Sequence, residues 1–458
     1  MITIGKTKSV CPVCMKVLPA KKCIGEEGIY LTKECDLHGK FRTLIWEGSV
    51  ADYLSWGREN LSAETPVNPK SKEKACPNNC GLCEEHERKG CCMVLEVTKR
   101  CNLHCPVCFA SAGESQEKGD PSICEIEKQF DFLMEHGGPF NIQLSGGEPT
   151  MRDDLPEIIR MGREKGFTFF QLNTNGIRLA EEEEYARKLK KAGLNTVFLQ
   201  FDGVSDDVYR TLRGQDMMEV KKKAVRNCSE AELGIALVPV IAPGVNDMQA
   251  GDILKFALDH MPFVRGVHFQ PISYFGRCSQ ERPQNPITIP RMLKLIEEQT
   301  EGLMKAEDFA GGGAENPYCS FHASYLRKGE RKLKLLEKKS GKGCCCTTSD
   351  DSRQYVENQW SYSTKTYDEG EMTQTDALDE FLNRVHNETF AVSGMLFQDA
   401  WNLELDRLKR CYICEVDSEY GMVPFCAYNL TNSKGKPSAR CKTSPTAKAE
   451  PSSSSATI

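Results

Sequence analysis

Cys101, Cys105 and Cys108 stand within eight positions in the stretch EVTKRCNLHCPVCFASAG, residues 96–113. A closed structural zinc site takes four ligands, and a cubane iron–sulfur cluster normally takes four cysteines. Three thiolates hold three irons of a [4Fe–4S] cluster and leave the fourth open. An open coordination position marks a catalytic metal, and the missing ligand is then a small molecule.

Four further cysteine groups flank this loop. Cys76, Cys80 and Cys83 repeat the same spacing, and with Cys91 or Cys92 they offer four thiolates to an auxiliary [4Fe–4S] cluster; a zinc ribbon is the plainer alternative. Cys11, Cys14, Cys35 and His38 have the two-plus-two spacing of a mononuclear site, with Cys23 a rival fourth ligand. Redox-active iron and structural zinc both fit that spacing. Cys411, Cys414 and Cys426 combine with Cys319 into a second auxiliary cluster, or are ordinary buried cysteines. Cys344, Cys345 and Cys346 are adjacent, and adjacent residues do not easily face one metal. They read as a redox or substrate-carrying thiol loop, or as part of an exposed insertion.

Strands must present the central loop. MVLEVT, FNIQLSG, FTFFQLNTNG, NTVFLQFDG, GIALVPVIA and VRGVHFQPIS read as six strands (93–98, 140–145, 167–173, 196–202, 234–242, 264–272). Amphipathic helices alternate with them, the pattern of right-handed βαβ crossovers and a parallel sheet. Six are too few for an eight-stranded barrel, so the expected fold is α/β, a partial (β/α)6 barrel. In such folds the carboxyl ends of the strands carry the site. The expected divisions are an N-terminal mononuclear metal domain at 1–48, a connector with an auxiliary cysteine group at 49–92, the barrel core at 93–290, a C-terminal auxiliary-cluster and substrate-cover region at 291–432, and a disordered Ser/Pro/Ala/Lys-rich tail at 433–458. The stretch RMLKLIEEQTEGLMKAEDF reads as one helix.

The chain has 458 residues, 23 of them cysteine, and a formal net charge of −6. The charge gives no argument for nucleic acid. MITIGKTKSVCPVC lacks an apolar leader segment, and no apolar run is long enough to span a membrane. A cytoplasmic location is expected, and so many thiols there read as metal ligands rather than disulfides.

CNLHCPVC resembles the Cys-x3-Cys-x2-Cys signature of the radical S-adenosylmethionine (SAM) superfamily, with Phe109 matching its usual aromatic. LSGGEPT resembles that family's GGE motif at Gly146, Gly147 and Glu148. LNTNG offers Asn173 and Asn175, QFDG offers Gln200 and Asp202, and VPVIAPGVN resembles the stretch that lines the adenine. The resemblance implies that SAM chelates the open iron through its amino and carboxylate groups. It implies that an electron cleaves SAM to a 5′-deoxyadenosyl radical, which takes hydrogen from unactivated carbon.

The combination of CPVC…HGKFRTLIW, CPNNCGLCEEH and FQDAWNLELDRLKRCYI is similar to one branch, that of tetraether lipid synthase and hydroxymethylpterin methyltransferases. Within the branch the chain looks nearest the TrsS-type radical SAM (seleno)proteins, although it carries no selenocysteine. That branch implies C–C bond formation or C-methylation of a small molecule or lipid, auxiliary clusters, and an external ferredoxin- or flavodoxin-type electron donor. The basic segment 326–343 fits an anionic membrane surface or a solvated helix. Peptide modification, and electron transfer without catalysis, are the competing functions.

Overall fold

A computed structural model describes residues 2–57, 63–69, 76–77, 80–113, 119–278, 282, 286–313, 315–329, 332–336, 348–362, 385, 387–417 and 421–437. Cys344, Cys345 and Cys346 lie outside these residues, as does the tail expected at 433–458 apart from 433–437, which is ordered rather than disordered: the Ser433 N–H donates to the Pro12 carbonyl at 2.7 Å.

Strands β1 (Thr3–Val10), β2 (Val17–Ile24), β3 (Gly28–Cys35) and β4 (Gly39–Glu47) form an antiparallel meander in sequence order. The tight turn of the CPVC stretch joins β1 to β2, and Cys35 ends β3, so the two halves of the metal motif meet at one end of the sheet.

The core follows. Strands β5 (Cys92–Thr98), β7 (Asn141–Gly146), β8 (Phe170–Thr174), β9 (Thr196–Gln200), β10 (Gly234–Val238) and β12 (Val264–Pro271) are parallel neighbours in sequence order. The short β6 (Val107–Cys108) and β11 (Val240–Ile241) lie in the intervening loops. All six expected strands are present.

Helices cover the outer face, each turning an apolar stripe inward. Helix Ile123–Glu135 starts at a capping box of Ser122 and Glu125 and buries Ile126, Phe130 and Leu133. Helix Glu183–Ala192 ends at Gly193, whose φ of +108° suits glycine. The expected long helix after 290 is shorter: it runs Ile289–Gln299 and stops where Glu301 and Gly302 take positive φ, with the Gly302 N–H closing on the Glu297 carbonyl.

Beyond the core, β13 (Arg277–Cys278) pairs with β6, and β14 (Ser320–Gly329) forms a hairpin with β15 (Lys332–Leu335). The described part of the basic segment is therefore strand, not helix. Strand β16 (Thr389–Met395) lies parallel to β12 and antiparallel to β14, and β17 (Ile413–Asp417) lies parallel to β5 and antiparallel to β18 (Gly421–Pro424). The C-terminal region thus continues the core sheet at both edges. Its helix Ser349–Trp360 closes the amino-terminal end of the barrel: a Cβ on Gly234, the first residue of β10, would lie 2.2 Å from the Trp360 carbonyl, and the Asn141 amide at the start of β7 donates to the Arg353 carbonyl.

Candidate radical SAM active site

The cysteine loop leaves β5 at its carboxyl end. Thr98 Oγ1 donates to Asp120 and accepts from the Arg100 N–H, which turns the chain, and Arg100 grips Asp120 at 2.6 and 2.9 Å. The far side is pinned by Arg277, which donates to the carbonyls of Cys105 (2.7 Å) and Ala112 (3.2 Å).

The GGE loop lies directly against it. Gly147 N–H donates to the Thr98 carbonyl and Glu148 N–H to the Arg100 carbonyl, each at 2.8 Å. A Cβ on Gly146 or Gly147 would lie 2.1 Å from the Thr98 or Arg100 carbonyl oxygen, so only glycine permits this approach. Glu148 is buried. Its Oε1 accepts from Thr150 N–H (3.1 Å), Thr150 Oγ1 (2.7 Å) and Thr174 Oγ1 (2.7 Å), and its Oε2 from Asn175 N–H (2.7 Å). Its carboxylate therefore ties the GGE loop to the end of β8, rather than standing free for an ammonium group. Asn175 then donates to Asn102 Oδ1 at 2.7 Å, which fastens the third loop to the first.

Cys101, Cys105, Cys108, Gly146, Gly147, Glu148, Asn173, Asn175 and Gln200 all face one cavity of about 720 Å³. Val238 and Val240, from the stretch compared with an adenine wall, line it too, and so does Phe109, which packs on Phe425 at 5.5 Å. Asp202 is placed differently. It is fully buried and bound by Arg213 through Nε (2.6 Å) and Nη2 (2.8 Å), and it accepts from the Val240 N–H at 3.0 Å. Arg213 itself reaches the cavity and donates to the Val107 carbonyl at 3.1 Å. The expected contact of Asp202 with SAM is thus replaced by a brace under the cysteine loop.

Arg213 had no signal beyond its place at the end of the helix after QFDG. Lys221 had none either. It is buried, donates to the Asn175 carbonyl (2.6 Å) and Gln200 Oε1 (3.1 Å), and is pushed down to about 7 by desolvation.

The residues fit a cluster with SAM. Burial pushes the Cys101 thiol up to about 12 and raises Cys105, the latter opposed by the Arg213 charge. These sulfurs become thiolates when a cation compensates them. Glu148, the acid beside them, is committed elsewhere, so the donor set stays at three sulfurs. Asn173 Oδ1 is buried without a partner in the cavity wall, an acceptor that a ligand donor would satisfy. The cavity is within the range that encloses small ligands.

At the N-terminal site the ligand atoms of Cys11, Cys14, Cys35 and His38 all lie within 4.8 Å of one another. His38 Nδ1 is 3.6 Å from Cys11 Sγ and 3.5 Å from Cys35 Sγ, and His38 holds the Cys35 thiol down to about 6. Cys23 lies instead within the sheet, 3.5 Å from Thr32 Oγ1 and 3.7 Å from Thr3 Oγ1. The geometry selects His38.

The other groups are rearranged relative to expectation. Cys76 and Cys80 sulfurs are 3.5 Å apart; that contact and burial raise Cys80, and Cys414 and Cys411 add smaller contributions. Cys83, the third member, is part-exposed. Cys91 and Cys92 line the main cavity, with Cys92 Sγ donating to Gln143 Oε1 at 3.3 Å, and Cys76, Cys414 and Cys411 are thiols that act on Cys80. Cys319, Cys411 and Cys426 are close enough to influence one another electrostatically, and Arg407 donates to Cys319 Sγ at 3.2 and 3.3 Å.

Three cysteines and a GGE turn at the carboxyl ends of adjacent parallel strands define a radical SAM enzyme. A family model described as the radical SAM superfamily matches residues 95–257, and one described as the HMPTM N-terminal zinc ribbon domain matches 3–47. The 7,8-dihydro-6-hydroxymethylpterin dimethyltransferase of Methanocaldococcus jannaschii is 31% identical over 472 residues, 93% of each chain. Fe-coproporphyrin III synthase of Methanosarcina barkeri is 36% identical over 191 residues, 41% of this chain and 45% of that one. Among solved structures, Streptococcus suis SuiB bound to precursor peptide SuiA aligns with TM-score 0.40 and 15% identity over 46% of each chain.

The chain belongs to the radical SAM superfamily and, within it, to the family of the Methanocaldococcus methyltransferase. Its cofactors are a [4Fe–4S] cluster and SAM, with a further metal in the N-terminal ribbon. Among the described residues no helix is long and apolar enough to cross a membrane.

Proposed function

We propose that this enzyme forms a C–C bond or adds a methyl group at an unactivated carbon of a small molecule held in the central cavity. The observation that supports this best is the shared wall: the three-cysteine loop, the GGE loop and the β8 and β9 ends face the same space as the barrel interior. The relative's printed substrate, a reduced pterin, is one molecule such a space would admit; a lipid is the other substrate reading.

Bound together, the cluster and SAM supply one-electron cleavage that yields a hydrogen-abstracting radical. Cys101, Cys105 and Cys108 hold the cluster. Gly146 and Gly147, in the cavity wall beside the cysteine loop, would let SAM approach the backbone there, and the unpartnered Asn173 Oδ1 would offer it an acceptor. Glu148 and Asp202 act at one remove. The first locks three strand-end loops together; the second fixes Arg213 under Cys105 and Val107. The cysteines around Cys80 and around Cys411 are the candidates for auxiliary clusters, which would carry electrons from an external ferredoxin- or flavodoxin-type donor.

The test is anaerobic reconstitution with iron, sulfide, dithionite and SAM. Formation of 5′-deoxyadenosine is expected, and deuterium from a labelled substrate should enter it. Intact SAM after full cluster loading would refute the proposal.

A further inference from the structure

Four charged side chains are buried together behind the strand ends that carry the cysteine loop: Glu148, Asp202, Arg213 and Lys221. Burial keeps solvent screening of such charges low. Asp202 and Arg213 cancel at contact, through bonds of 2.6 and 2.8 Å. Glu148 is held by neutral donors on Thr150, Thr174 and Asn175.

Lys221, on the helix Met218–Glu230, is 0% exposed. Its ammonium donates to the Asn175 carbonyl at 2.6 Å and to Gln200 Oε1 at 3.1 Å, and it lies 5.6 Å from the centre of the Tyr209 ring. These partners are all neutral, and a buried ammonium held only by neutral groups needs an opposite charge nearby. Two chains of contact run from it to the cysteine loop. Asn175 donates to Asn102 Oδ1 at 2.7 Å, next to Cys101. The Gln200 amide donates to Asp202, whose partner Arg213 donates to the Val107 carbonyl, next to Cys108. Desolvation pushes Lys221 down to about 7, and Cys105 is among the groups that oppose this. A net-negative neighbour favours the ammonium form.

Three thiolates outweigh the charge of an oxidised cubane, and an added electron makes the assembly more negative still. A buried cation close by therefore stabilises the reduced form more than the oxidised one. Without Lys221 the wall would hold two acids against one base.

Resting on the radical reading above, we propose that Lys221 is a positioning residue that sets the reduction potential of the catalytic cluster. It holds the Asn175 and Gln200 ends of β8 and β9 in place and supplies the cation that balances the buried wall. The external donor gives up one electron and the cluster gains it; Lys221 contributes charge alone.

The experiment is a dye-mediated redox titration of the anaerobically reconstituted full chain, read by electron paramagnetic resonance with and without SAM. The signal missing from Cys105→Ala belongs to the catalytic cluster. Lys221→Gln and Lys221→Met should each shift the reduction equilibrium at least tenfold toward the oxidised form, a potential lower by about 59 mV for one electron. Lys221→Arg, which keeps the charge, should stay close to the parent. So should Lys222→Met, since Lys222 is exposed and paired with Glu219. Iron per chain and melting temperature identify the loaded, folded variants.

An unchanged potential in Lys221→Gln overturns the inference. A shift in Lys221→Met that Lys221→Gln lacks, or an equal shift in Lys221→Arg, also overturns it, because shape rather than charge would then be responsible. So does a shift that appears only with SAM bound, which would make SAM the partner of the charge. Failure of Lys221→Gln to load iron to the parent's level reduces Lys221 to a structural peg and equally overturns it. SAM cleavage by the parent is measured in the same preparation. Its absence refutes the radical reading, whereas normal cleavage with any of these potential results refutes the role of Lys221 alone.

Discussion

Replacing Arg213 by Met tests whether Asp202 is a brace or a ligand. Asp202 is fully buried, and Arg213 supplies it with two charge-assisted bonds at 2.6 and 2.8 Å. Removing one partner of a buried pair and leaving the other charged costs about 3–5 kcal/mol. Losing the bond to the Val107 carbonyl adds about 1 kcal/mol. The Val240 N–H bond at 3.0 Å and the Gln200 amide, which also donates to Asp202, remain and offset part of this, so a loss of about 3–5 kcal/mol is expected overall. Asp202→Asn on the Arg213→Met background removes the orphaned charge, and the coupling between the two changes should be on the order of 2–3 kcal/mol.

The assay is urea unfolding of the anaerobic holoprotein, followed by tryptophan fluorescence, with iron per chain measured alongside. Iron should fall in Arg213→Met, because Val107 adjoins Cys108 and the loop loses its inner anchor. An unfolding change of less than about 0.5 kcal/mol, the level of an ordinary surface substitution, would refute the reasoning. So would a tenfold loss of SAM affinity in Asp202→Asn with stability untouched, since that would return Asp202 to the ligand.

Four further outcomes follow from the geometry. Replacing Cys101, Cys105 or Cys108 with Ala should abolish 5′-deoxyadenosine formation while the N-terminal metal remains, as seen by metal analysis. His38→Ala should lower that N-terminal metal content, whereas Cys23→Ala should leave it unchanged. Gly147→Ala should depress the melting temperature and cluster loading together, because its Cβ would enter the Arg100 carbonyl; overpacking of this kind costs about 1–3 kcal/mol. His268 is held neutral down to about 4, against an ordinary value of 6.5. The unfolded chain therefore takes up this proton first as pH falls below 6.5, and the contribution to stability declines by about 1.4 kcal/mol per pH unit below that value. Unfolding of parent and His268→Gln between pH 6.5 and 5.5 should show the steeper slope in the parent.

The six parallel strands and the cysteine loop were legible because each rests on local pattern: period-two or continuous apolar runs, helical stripes, and fixed thiol spacing. The GGE glycines were legible for the same reason, since a steric demand at one backbone position admits one residue type. Contacts between distant segments were not. Nothing near QFDG announces that Asp202 is spent on Arg213, eleven residues on. Nothing near Cys91 shows that it faces the cavity while Cys411 and Cys414 come to Cys80 from more than 300 positions away. The helix after 290 was overextended because its apolar spacing continues past a break that Glu301 and Gly302 set through backbone conformation. His268 carried no signal either: VHFQP reads as a strand, and the neutral state of the ring arises from burial against β9 and β16.

The placement of β16 beside β12 and of β17 beside β5 bears on how this protein can be divided. A fragment ending near residue 290 would keep every cofactor-binding motif and yet leave two long strands with open hydrogen-bonding rims, a template for intermolecular pairing. The catalytic core is therefore no detachable cassette. Trimming or swapping the carboxyl-terminal third should yield aggregates rather than a simpler enzyme, and exchange of substrate preference among relatives is better sought in individual inward-facing positions than in whole-segment grafts.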